Sequence, residues 1–212
     1  MSASLLEKCG SSKILFLVLA LFSWWPDSAA AADELVSSRP EFSATVVKTV
    51  NGKQQQARVF AKWDRLRLEY KYALRTDLGY TSIEIIRLDQ AETWYVLAQR
   101  REMLVVPLDP DDAIPLRPEL AGESSRALVG DSRVANRPAS LFEVETNRRG
   151  RGERFYEWVD EESGVVLKLM SRDRDWMFEY ERFRLSPQPD YYFEIPSGYQ
   201  RRVVSTGLQR KG

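Results

Sequence analysis

The chain has no histidine, and its single cysteine, Cys9, lies close to the first residue. Without histidine, neither a Ser-His-Asp nor a Cys-His catalytic arrangement can be assembled. Zinc sites built on histidine and cysteine are excluded as well. No disulfide can staple the chain beyond Cys9, so its folded part must rest on a hydrophobic core. There is no excess charge of either sign, with 31 basic and 31 acidic side chains. No global field therefore draws in nucleic acid or an anionic surface. Basic clusters such as Arg148-Arg149-Gly150-Arg151 are flanked by acids and read as solvated loops. Long apolar runs are also lacking, because Ile14 to Trp25 gives about 12 residues where a bilayer-spanning helix needs roughly 20.

That short run has a recognisable setting. Lys8 and Lys13 precede it, Pro26 and Asp27 end it, and Ser28 to Ala32 are all small. Residues 1–32 therefore read as a cleaved secretory signal, with the mature chain starting near Ala32 or Asp33. Cys9 precedes the apolar run, whereas a lipidated cysteine would follow it. The expectation is an exported, periplasmic protein with no integral span after cleavage. Residues 33–200 form one domain, and 201–212 form a polar tail.

From Glu41 onward the dominant period is two. Phe42, Ala44 and Val46 alternate with Ser43, Thr45 and Val47. Asn51-Gly52 is a strong signal for a two-residue hairpin. The return strand sets Ala57, Val59, Ala61 and Trp63 on one face. Leu66, Leu68, Tyr70 and Tyr72 then alternate with Arg65, Arg67, Glu69 and Lys71, the pattern of a sheet with one apolar and one wet face. Further strands read at Tyr80 to Leu88, Thr93 to Gln99 and Met103 to Val106.

The rhythm breaks at Asp109 to Leu128, which holds Pro110, Pro115 and Pro118 and reads as an insertion crossing the sheet. A weak helical pattern lies at Glu119 to Leu128. Strands resume from Val129, through Ala139 to Thr146, Glu153 to Val159, Val165 to Ser171 and Trp176 to Leu185. Phe193-Glu194-Ile195 reads as a last short strand. This gives ten or eleven strands with little helix: a mainly β, antiparallel fold.

The segment Leu88-Asp89-Gln90-Ala91-Glu92-Thr93-Trp94-Tyr95-Val96-Leu97 resembles the Asp-Gly-x-x-x-Trp-x-Tyr hairpin of the LolA-like periplasmic lipoprotein carriers, with Gln90 in place of glycine. Trp63 to Glu69, Val129 to Val134, Trp158 to Gly164 and Phe193 to Tyr199 are similar to other stretches of the outer-membrane lipoprotein-sorting branch. The resemblance covers about Glu41 to Tyr199. It implies a single strongly curved sheet, an incomplete barrel, with a lid or loop insertion over its concave apolar face. It also implies a carrier of lipid or lipoprotein acyl chains in cell-envelope maintenance. The alternative is an interaction or sensor module that keeps the curved sheet and fills the cavity.

The apolar stripe Trp63, Leu66, Leu68, Tyr70, Trp94 and Val96 is the candidate ligand-binding face, and Arg67 the candidate polar contact. Core packing accounts for such a stripe equally well. Arg58, Arg65 and Arg67 sit beside Glu69 and Glu84 as cross-strand pairs of the wet face. Neither Asp109-Asp111-Asp112 nor Asp160-Glu161-Glu162 carries the ligand series calcium requires, and both read as turns. No catalytic residue, metal or cofactor is expected. The expected partners are lipid or lipoprotein acyl chains and an envelope protein, not nucleic acid.

Overall fold

The computed structural model describes residues 40–76, 79–109, 114–148 and 150–204. The expected signal segment and the end of the polar tail lie outside these residues, as do Asp111 and Asp112 of the insertion. Among the described residues twelve strands form one sheet. They are β1 (Glu41–Val50), β2 (Lys53–Lys62), β3 (Arg65–Thr76), β4 (Gly79–Arg87), β5 (Glu92–Leu97) and β6 (Glu102–Pro107). After the insertion come β7 (Glu123–Val134), β8 (Arg137–Arg148), β9 (Arg151–Asp160), β10 (Val166–Ser171), β11 (Trp176–Leu185) and β12 (Gln200–Val203).

Two meanders, β1–β6 and β7–β11, are joined by pairing of β1 with β11. The sheet is not closed into a barrel, but it curls strongly, because β7 and β11 touch although three strands separate them. The expected half-barrel class is therefore the observed one.

Local chemistry explains the turns. Asn51 and Gly52 have φ of 49° and 77°, as a two-residue turn with both central residues left-handed demands. Side chains alternate as the period of two requires. Phe42, Ala44 and Val46 of β1 face the same side as Ala57, Val59 and Ala61 of β2, and as Leu66 and Leu68 of β3. With Phe178, Tyr180 and Leu169 of the second meander they form the main core on the inner face. Phe42, Phe183, Tyr180 and Phe178 stack in sequence there, with ring centroids 4.7 to 6.2 Å apart.

Three expectations fail, each for a tertiary reason. Glu123–Leu128 is not helical but opens β7, because β8 supplies a partner strand along its length and Gly122, at φ 72°, turns the chain into it. Phe193-Glu194-Ile195 is not a strand. Asp190–Phe193 is a 3₁₀ turn instead, lying on the outer face, where the strands it crosses are already paired on both edges. Residues 201–203 are not a loose tail but part of β12, which pairs in parallel with β6.

Candidate functional site

Residues 114–122 of the insertion form a strap across the inner face. The chain on either side is tied by backbone bonds, from the Leu108 amide to the Ala91 carbonyl at 2.9 Å and from the Asn147 amide to the Gly122 carbonyl at 2.7 Å. Between these ties Ile114, Leu116 and Leu120 turn inward and join the main core. Arg117 reaches Asp64 on the β2–β3 turn at 3.2 Å. Beneath Ile114 the packing with Val46, Ala57, Leu68 and Tyr70 leaves a void of about 10 Å³, room for about one water. The inner face of β1–β4 is thus filled by the chain itself.

Beside the strap the situation differs. An open cleft of about 1200 Å³ runs between it and the ends of β9, β10 and β11. Leu88, Leu108, Leu116, Phe155, Leu169 and Trp176 give it an apolar floor. Arg117, Arg151, Arg172, Glu119, Glu153 and Asp173 give it a charged rim. The volume is larger than the roughly 300–1,000 Å³ of most small-molecule pockets.

The expected site residues do not share one face. Leu66, Leu68 and Tyr70 lie on the inner face, and Leu68, at 3% exposure, sits under Ile114 rather than in the cleft. Tyr70 donates to Glu84 at 2.6 Å, so Glu84 belongs to the inner face and not to the wet one. Trp94 and Val96 are on the outer face. The register runs from Arg67 through Ile85 to Trp94, and from Leu68 through Glu84 to Tyr95. Trp94 and Val96 are buried there with Met103 and Val105, with Tyr199 packed against them.

Trp63 is on neither apolar face. It is the first residue of a two-residue turn, at φ 58° and 42% exposed, between Lys62 and Arg65 at 5.2 and 5.4 Å. Tyr72, expected on the apolar face, is 76% exposed within the register shift that separates Glu69 from Leu74 on β3. Arg67 also points outward. It donates to Glu69 at 2.8 Å and to the Tyr192 carbonyl at 3.1 Å, and lies over the Tyr192 ring. It clamps the C-terminal segment to the sheet. The Arg58–Glu69 pair on the same face forms as expected, at 3.7 Å.

The sequence reading missed the polar cluster under the strap. Arg126 of β7 bonds Glu123, Glu157 of β9 and the Pro118 carbonyl of the strap, and lies over the Phe142 ring. Glu157 is fully buried, with Oε1 lacking any partner among the described residues. Burial pushes its carboxyl up to about 7, against the pull of Arg126. A signal was there to be read, since alternation along β9 sets Glu157 on the same face as Phe155. At Asp160 burial also opposes ionisation, but Arg137 and Ser163 overcome it and hold the carboxyl below its ordinary range.

No protein-family model matches this chain, and no curated protein sequence matches it. Solved structures do. The crystal structure of MucB aligns with a TM-score of 0.54 at 21% identity, covering 82% of this chain and 66% of that one. MucB in complex with MucA(peri) aligns at 0.50 and 20%, covering 84% and 63%. An outer membrane lipoprotein-sorting protein domain from Vibrio parahaemolyticus aligns at 0.37 and 8%, covering 77% and 94%. The chain spans just under two thirds of the length of the MucB chains it matches. At these identities the likeness is one of fold. What is shared is a curved, open antiparallel sheet.

Proposed function

We propose that this chain is a non-enzymatic, exported binding protein of the bacterial periplasm that takes the acyl chain of a lipid or lipoprotein into the cleft beside the strap. The cleft carries this reading. It joins an apolar floor to a charged rim, the pairing an amphiphile needs. Trp176 of that floor suits an acyl chain, as a large ring with one polar atom. Native mass spectrometry of the protein purified from an envelope fraction tests the reading, with a co-purified lipid expected. Titration with a fluorescent fatty acid gives the second test. Saturable binding that weakens several-fold in Trp176→Ala is expected, and no binding to the wild type would end the carrier reading.

A second reading has its own support, since Ile114, Leu116 and Leu120 already fill the inner face. On it, the domain is an interaction or sensor module whose partner is an envelope protein. MucB, which shares the fold, has been solved with MucA(peri) bound. A purified chain free of lipid that captures a defined envelope protein through the strap side would favour this module.

A further inference from the structure

Two carboxylates share one guanidinium beneath the strap. Arg126 donates Nε and Nη2 to Glu123 at 2.8 and 2.9 Å, and Nη1 to Glu157. The same Nη2 bonds the Pro118 carbonyl, while Glu123 accepts the Leu120 amide at 3.1 Å. The cluster therefore grips the strap at two points, Pro118 and Leu120. With both acids ionised it carries one unbalanced negative charge. That charge is most costly at Glu157, which has no exposure and an unpartnered oxygen. Glu157 faces Arg126 and Glu123 from β7. Its cross-strand neighbours are Phe142 on β8 and Leu169 on β10, both apolar. The strap adds the Pro118 carbonyl. A chain without histidine has no side chain whose ordinary range is centred near neutrality, and burial moves Glu157 there.

We propose that lifting of the strap is coupled to loss of a proton from Glu157, so that acid holds the strap shut and neutral to alkaline pH frees it. Lifting the strap lets water reach the carboxyl, which then ionises as an ordinary glutamate does. The state with the weaker hold on a proton gains population as pH rises. Access to the cleft then follows the pH of the compartment. That consequence rests on the ligand reading above, but the coupling itself is measured without a ligand.

The experiment is amide hydrogen exchange of the full chain between pH 5 and 8, corrected for the intrinsic pH dependence of exchange. Strap amides at residues 116–122 should open about 70-fold more often at the upper end, with the amides of β1 and β2 unchanged. In Glu157→Gln the strap should exchange at one rate throughout. A flat profile in the wild type, or a slope that persists in the variant, overturns the coupling. Carbon NMR of the Glu157 carboxyl in the unaltered protein gives a second check. A midpoint near that of strap exchange supports the proposal, and one in the ordinary carboxylate range refutes it. If the strap opens with pH while a fluorescent fatty acid binds at no pH, the ligand reading fails and the coupling stands.

Discussion

Arg137 holds Asp160 with both arms of its guanidinium, Nε at 2.6 Å and Nη2 at 2.9 Å from the two oxygens of a carboxylate that is 1% exposed. The same carboxylate accepts the Ser163 amide at 2.9 Å and its hydroxyl at 2.6 Å, which fixes the turn between β9 and β10. Asp160→Ala leaves Arg137 with Glu162 alone and strips the turn of its acceptor. The expected cost is about 3 kcal/mol in urea unfolding, as for other broken buried pairs. The folded carboxyl titrates below its unfolded range. Its contribution is thus present above the ordinary aspartate range and is lost as pH falls through the depressed value. A variant within 1 kcal/mol of the wild type at pH 7 would show the pair to be incidental.

Glu157 has the opposite sign. Its folded carboxyl binds a proton more tightly than the unfolded one, near 7 against 4.5. The stability it confers is complete below pH 4.5 and is lost as pH rises to about 7. Glu157→Gln should therefore gain on the wild type across that window and be the more stable protein above it. Denaturation midpoints at pH 4.5, 6 and 8 check this, and a constant difference would count against it.

Leu68 and Trp176 separate packing from binding. Leu68 is buried under Ile114, so Leu68→Ala should cost about 2–5 kcal/mol with little effect on fatty-acid affinity beyond that of lost folding. Trp176→Ala opens a cleft wall that is only half-buried, and should weaken the probe more than it lowers the melting temperature. The reverse ranking would place the ligand beneath the strap instead of beside it.

The two tryptophans of the expected stripe should behave in contrary ways. Trp63 occupies, at φ 58°, a turn position that favours glycine. Trp63→Gly relieves that backbone while losing the cation–π contacts of a half-exposed ring with Lys62 and Arg65, so its net cost should stay below about 1 kcal/mol. Trp94 is buried in the outer core, and Trp94→Ala should cost about 3–5 kcal/mol. Urea titrations of both variants decide the matter.

Truncation after Tyr199 removes β12 and bares β6, whose Met103, Leu104, Val105 and Val106 are all buried. An unpaired apolar edge recruits other strands. Light scattering should therefore report self-association of the shortened chain at concentrations where the intact chain stays monodisperse.

Alternation in the sequence determined the strands and much of the fold class, because side-chain period and turn chemistry are local. Asn51-Gly52 specifies its hairpin without help, and Leu66 and Leu68 declare a common face by spacing alone. Only the tertiary structure decided which strands share a face. That depends on register, which lines Leu68 up with Tyr95 through Glu84 and so puts Trp94 on the other face of the sheet. It likewise decided that the proline-broken insertion fills the inner face with Ile114, Leu116 and Leu120, and that Arg126 meets Glu157. Those residues lie 31 positions apart, and their meeting is fixed by the ladders of β7, β8 and β9, which no local pattern encodes.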